Sequence, residues 1–477
     1  MDGRSLRILP ALFALGLASC FSTAGQGDNG GSSGTSGGLS PTSACEEYLE
    51  CVAVVTPMGL GPLLETYGPG GTCWQSTPDV AEQCDIACMA GLEQLQEAFP
   101  EEPVCSGSLD GGSESSGGTD SPVTERIVDI LFVVDNSGSM GEEQAALGES
   151  VGELVSVLDG ADPPIDFRIA VTTTDNGNPW CMTSIPDSGA LRAVSCLDRS
   201  EEFVFEGAVE FDVFDEACQN VCSLPGLVLS DPWIEVSNTE GTTNVPGGEV
   251  IEAARCILPQ GIDGCGFEQP LESMLRTIQR TELANDPAFG YFRPGALPAV
   301  FLVTDEVDCS HDPAHEIIFL PEGNRVFWSD ATAGSPSSAA CWNAGVACEG
   351  RSPYSSCAAA NYDESGNPVS GSPESVLFSI DRYVATLTER AAYVAAIDGV
   401  GQDGSIVWAD SLTDTQFQSD FGIGPGCSGA GGQAVPPVRV HDVIEAVSGP
   451  GNEWSICAPS YQDAMATFGQ EILSRLP

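Results

Sequence analysis

Two aspartates close nearly continuous apolar runs in this chain. One run is Ile130-Leu131-Phe132-Val133-Val134-Asp135, and the other is Val300-Phe301-Leu302-Val303-Thr304-Asp305. After Asp135 come Asn136-Ser137-Gly138-Ser139, which place hydroxyls at alternate positions. Carboxylates and hydroxyls are hard oxygen ligands, suited to Mg²⁺ or Ca²⁺, with Mn²⁺ close behind. Two carboxylates aimed into one crevice need a cation or protons to coexist. The alternative for Asp135, Ser137 and Ser139 is a helix cap with turn chemistry and no metal.

The elements that must position these residues are legible from periodicity. Ile127 to Val134 and Ala299 to Thr304 read as strands buried on both faces, with Phe167 to Thr173 and Ala392 to Ile397 as further strands. Glu142 to Leu158 carries Leu147, Val151, Leu154, Val155 and Leu158 on one helical stripe. Leu271 to Ile278, Val376 to Arg390 and Tyr461 to Leu476 also read as helices. Strands alternating with helices predict an α/β fold with a doubly wound, mostly parallel sheet. In such sheets the ligand site lies beyond the carboxyl ends of the strands, where both aspartates fall. Residues 175–248 and 306–372 are long and cysteine-rich, and read as irregular insertions on that sheet.

The segment Asp135-Asn136-Ser137-Gly138-Ser139 and its preceding strand resemble the DxSxS motif of the von Willebrand factor type A family. Asp305 matches the acidic residue after that family's later central strand. The resemblance spans roughly residues 125–477, broken by the two insertions. It implies a Rossmann-like fold whose metal is held by the two serines and reached by the aspartates directly or through water. It also implies an open coordination position for an acidic side chain of a protein ligand. The chain departs from the family at the loop that usually supplies a threonine. The corresponding loop, 261–268, has none, and Asp263 or Glu268 is the expected substitute. An extra carboxylate there weakens the metal's pull on a ligand carboxylate, so a metal that only stabilises the fold is the competing reading.

The acid run Asp305-Glu306-Val307-Asp308, followed by His311, Asp312, His315 and Glu316, is either a solvated loop or a second cation site. His311 and His315 lie four apart with Pro313 between them and lack an HExxH pattern, which argues against zinc.

Composition narrows the function. The chain has 477 residues, 69 acids and 16 bases, and every base is an arginine. A net charge of -53 repels nucleic acid and anionic lipid. The absence of lysine removes Walker A loops, SxxK hydrolases and Schiff-base enzymes. A phosphotransferase built on Asp135 would need an acid where Ser137 stands, and no GxSxG elbow supports a serine hydrolase. The expected protein is therefore not an enzyme.

The first nineteen residues read as an export signal, with Arg4 and Arg7 ahead of a short apolar run. Leu17-Ala18-Ser19-Cys20 resembles the lipobox of bacterial lipoproteins, which implies a lipid on Cys20 and attachment to the cell envelope, outer membrane or surface. Residues 20–44 form a Gly/Ser tether, 45–105 a small cysteine-rich helical module, 106–123 a second linker and 124–477 the main domain. Nineteen cysteines divide into Cys20, six in 45–105 and twelve from Cys181 to Cys457. Even counts in both folded segments predict two self-contained disulfide frameworks. Six cysteines allow fifteen connectivities, and sequence selects none of them.

Overall fold

The computed structural model describes residues 126–477, except 182–183, 207–209 and 430–431, and part of 45–95. The export signal, Cys20, both linkers and the remainder of the small module lie outside the described residues. The chain divides into two compact units, 1–119 and 120–477.

The described part of the first unit contains helical residues at Cys45, Tyr48, Leu49, Cys51 and Val52, a helix Leu60–Tyr67 and a short turn of helix Thr72–Gln75. Cys45 bonds to Cys88 and Cys73 to Cys84, and Cys51 is also disulfide-bonded. Cys84 and Cys88, both in helical backbone, reach two different segments. Trp74 and the bonded cysteines make the small buried cluster, whose size explains its reliance on bridges.

In the second unit seven strands form one sheet. They are β1 (Ile127–Val134), β2 (Asp166–Thr173), β3 (Ile234–Ser237), β4 (Thr242–Thr243), β5 (Leu297–Val303), β6 (Tyr393–Asp398) and β7 (Glu453–Ser455). Their spatial order is β7-β6-β5-β1-β2-β3-β4. The five strands from β7 to β2 are parallel to their neighbours, and β3 and β4 add an antiparallel edge. The helices that cover the sheet are α1 (Gly141–Asp159), α2 (Val250–Ile257), α3 (Pro270–Arg280), α4 (Asp381–Glu389), α5 (Val438–Ser448) and α6 (Gln462–Arg475).

Alternation along β1 sorts the two faces. Val128, Ile130, Phe132 and Val134 pack with α1, α2 and α6, through Leu147, Val151, Ala254, Met465 and Phe468. Leu131 and Val133 pack with α3, α4 and α5, through Leu271, Met274, Tyr383, Leu387 and Val443. With both faces covered, β1 carries apolar residues at nearly every position. The result is a mixed α/β architecture with a mostly parallel central sheet. Among the described residues no helix is long and apolar enough to cross a membrane.

Three sequence expectations are corrected. The helix expected from Val376 begins only at Asp381. The Val376 carbonyl accepts from Asp312 N and the Phe378 amide donates to Ser310 O, so those backbone groups are committed to the 310–312 segment. The 175–248 insertion is irregular only in part, because its later residues supply β3 and β4. The 306–372 insertion packs Phe319, Trp328 and Trp342 into a buried cluster shared with Phe267, Phe417 and Val438, and carries a hairpin of Val346–Glu349 with Ser356–Ala359. All twelve later cysteines pair within this unit, as 181–265, 196–218, 222–256, 309–341, 348–357 and 427–457.

Candidate metal centre

Register brings the two aspartates together. Val134 pairs with Thr173 on one side and Val303 on the other, so β1, β2 and β5 end level. The ladder runs one residue further, with Asp135 N donating to Val303 O and Thr174 N to Val134 O. Asp135, Thr174, Thr304 and Asp305 consequently emerge side by side.

Asp135 is fully buried. Its Oδ1 accepts from the Ser137 amide at 2.8 Å and its Oδ2 from the Thr304 hydroxyl at 2.6 Å. The first bond folds the chain back after the strand and brings Ser137 Oγ to 3.2 Å from Ser139 Oγ. Ser137 is buried while Ser139 is exposed, so the pair bridges interior and solvent. Ser139 also hydrogen-bonds Asp305.

The loop before α3 supplies the next acid. Glu268 is buried against Asp135, and its Oε2 accepts from the Thr174 hydroxyl. A buried glutamine holds that loop in place. Gln144 Nε2 donates to the carbonyls of Asp135 at 2.9 Å and Gly261 at 2.7 Å, while its Oε1 accepts from the amides of Gln260 and Gly261. Gly264 donates to the Asn136 carbonyl, and a Cβ at Gly264 would sit 2.4 Å from the Asn136 side chain, so only glycine fits. Cys181–Cys265 ties the same loop to the segment after β2.

The electrostatics are those of a crowded acid site. Burial raises the Asp135 carboxyl above its ordinary range, against the bonds from Thr304 and Ser137. Asp305 and Glu268 are raised well above theirs, by burial first and then by Asp135. Glu143, in the first turn of α1, is pushed up to about 7, and Glu306 to about 8, in both cases chiefly by burial and also by Asp135. Glu268 Oε1, Asp305 Oδ1 and Glu143 Oε2 are buried with no hydrogen-bond partner. Orphaned anionic oxygens in a low-dielectric pocket are costly unless a cation or proton meets them. Hydroxyls from Ser137 and Ser139 beside these carboxylates suit an oxygen-preferring divalent ion. Among the described residues no three His, Cys, Asp or Glu side chains form a ready cage, so such an ion must draw on the hydroxyls and on water.

The structure thus gathers Asp135, Ser137, Ser139, Asp305 and Glu268. Asp263 stands apart from them. It is exposed, burial of part of its side chain pushes its carboxyl up to about 6, and the charges acting on it are Glu202, Arg192 and Arg199. Sequence reasoning missed Thr174, Thr304, Gln144 and Glu143, and named Glu306 only as part of the acid run after Asp305. A signal existed for Thr304, which directly precedes Asp305, but none for Gln144, whose partners in the loop, Gln260 and Gly261, lie more than 100 residues away.

The acid and histidine run after Asp305 is dispersed. Asp308 pairs with Arg439, Glu306 accepts from Ser338, and His315 contacts Glu364. His311 is buried beside the Cys309 carbonyl, and burial lowers its pKa to about 4. A lowered imidazole pKa means the folded state takes up its proton later than the unfolded chain. His311 therefore costs nothing above pH 6.5 and withdraws stability as pH falls from 6.5 to about 4, to a limit of about 3 kcal/mol. A His311→Gln variant is expected to show a shallower acid limb in unfolding experiments. Titration of the His311 ring near 6.5 by NMR would contradict this.

No family model matches the chain, and no curated protein matches it. Two solved structures of the pilus adhesin SpaC from Lactobacillus rhamnosus GG are similar in part. One, in an open conformation, is 12% identical over 73% of this chain with a TM-score of 0.30. The other is 12% identical over 74% of this chain with a TM-score of 0.31. The chain spans 30% of the length of each adhesin structure.

Proposed function

We propose that residues 124–477 form a von Willebrand factor type A-like domain that binds one divalent cation, Mg²⁺ or else Ca²⁺ or Mn²⁺. Asp135, Ser137 and Ser139 hold it, with Asp305 and Glu268 beside it, and the ion presents an open position to a protein ligand. The observation that carries this reading is the meeting of two serine hydroxyls with unpartnered, buried carboxylate oxygens at the carboxyl ends of the central strands. Ser139 is the exposed member of the set, which is where a ligand's acidic side chain would enter. The protein acts as a surface binding module rather than an enzyme, is exported, and is anchored to the cell envelope by lipid on Cys20. Cys20→Ser is expected to move it from the membrane to the soluble fraction, and equal membrane retention would reject the anchor.

Immobilised protein is to be challenged with a displayed library of Asp- and Glu-containing peptides in Mg²⁺. Retention that chelator reverses and Asp135→Ala abolishes is the expected result. The structural-metal reading is favoured by one observation, the additional buried carboxylate of Glu268 against Asp135. If the protein binds Mg²⁺ yet retains no peptide in a metal-dependent way, that second reading replaces ligand binding.

A further inference from the structure

A second group of orphaned oxygens lies at the other edge of the parallel sheet. Asp398 ends β6 and is fully buried, and neither of its carboxylate oxygens has a hydrogen-bond partner. Ser455 stands directly opposite it on β7, is 4% exposed, and its Oγ is also unpartnered. Glu453 lies two residues earlier on β7, on the same face as Ser455 by strand alternation. Its carboxyl meets that of Asp398, and its Oε1 is buried and unpartnered. Asp398, Glu453 and Ser455 therefore share one face near the carboxyl ends of two paired strands, and four of their oxygens are orphaned.

We propose that Asp398, Glu453 and Ser455 form a second divalent-cation site, separate from the one at Asp135.

Charge and donor count favour a cation over a shared proton. A proton held between Asp398 and Glu453 meets two of the four oxygens, whereas a divalent ion can meet all of them. Two carboxylates and a hydroxyl match the charge of one divalent ion and the ligand preference of Ca²⁺ or Mg²⁺, with water completing the shell. The outer oxygen of Glu453 is already taken. His441 Nδ1 lies 2.7 Å from Oε2 and occupies that oxygen, as hydrogen-bond partners that orient metal-binding carboxylates do. Burial and then Glu453 hold the metal-free Asp398 carboxyl well above its usual range, with the Val400 amide acting in the opposite sense. The two sites are electrostatically separate. Glu453 is the charge that acts on Asp398, whereas Asp135, Glu306 and Glu143 act on Asp305.

The test is the metal content of the full-length protein after equilibrium dialysis against Ca²⁺, by elemental analysis. Asp398→Asn keeps the shape and removes a ligand charge. It is expected to lose one equivalent of Ca²⁺, both alone and in an Asp135→Ala background. Glu453→Gln should lose the same equivalent, which guards against a folding defect peculiar to one variant. Unchanged Ca²⁺ content in both Asp398→Asn and Glu453→Gln would overturn the proposal and identify the pair as a proton-sharing dyad. The two sites fail separately. If Asp135→Ala leaves the content unchanged while Asp398→Asn lowers it, the first reading falls and this one stands.

Discussion

Asp135→Ala is expected to abolish cation binding at the strand ends and to remove the stabilisation that the cation supplies. Asp135 is chosen because its two oxygens do separate jobs, one folding back the Ser137 amide and the other receiving the Thr304 hydroxyl. Its loss removes a negative ligand and also releases the turn that sets Ser137 beside Ser139. A ligand that binds only the folded state stabilises it by about 2.7 kcal/mol at a hundred times its dissociation constant. Thermal unfolding of the wild type should shift upward in Mg²⁺ or Ca²⁺ relative to chelator, and the variant should show no such shift at these strand ends. Ser139→Ala removes one neutral, exposed ligand and should weaken binding without eliminating it. Ca²⁺ at the Asp398 group complicates the comparison, so the decisive form uses an Asp398→Asn background. A melting point there that ignores Mg²⁺, Ca²⁺ and Mn²⁺ alike would defeat the site.

Arg439→Met should destabilise the second unit by about 3–5 kcal/mol, the usual cost of leaving a buried charge without its partner. Arg439 and Asp308 are both almost wholly buried, with Nε 2.8 Å from Oδ2. Arg439 also donates to the Phe378 carbonyl, and Asp308 accepts from Ser310 Oγ and the Leu271 amide. One ion pair thus ties α5, the start of α3 and the loop after β5 that carries Asp305. Unfolding in guanidinium chloride with disulfides intact measures the loss. An Arg439→Met, Asp308→Asn double variant should recover part of it, because no unpaired charge remains. A loss under about 1 kcal/mol for the single variant would show that water reaches Asp308 and relieves it.

Much of the second unit was legible because its strands and longer helices carry local signals. β1, β2, β5, α1, α3 and α6 begin and end within about two residues of the periodic patterns that announce them. Two of the helices that cover the sheet carry only weak local signals. Val250, Ala253, Ala254 and Ile257 form a short stripe on α2, and Val440, Val443 and Ile444 do so on α5, but each sits beside turn-rich sequence. β7 has three residues, too few for any period to appear. Val376 and Leu377 read as helix because they are apolar, yet their backbone is spent on the 310–312 segment.

Residue types alone place carboxylates and hydroxyls at strand ends, divide the cysteines after Cys20 into two even sets, and leave no lysine chemistry. Those properties depend on neighbours in sequence or on simple counts. Tertiary structure decides which loop acid joins Asp135. Glu268 and Asp263 are five residues apart and equivalent as letters, but the Gln144 clamp, the Gly264–Asn136 contact and the Cys181–Cys265 bond turn Glu268 inward and leave Asp263 in solvent. Likewise Asp398, Glu453 and Ser455 are unremarked in sequence because 55 residues separate Asp398 from Glu453. Only the parallel register of β6 with β7 sets them face to face, since a strand's hydrogen bonds are satisfied by a neighbour that the chain reaches after a long crossover.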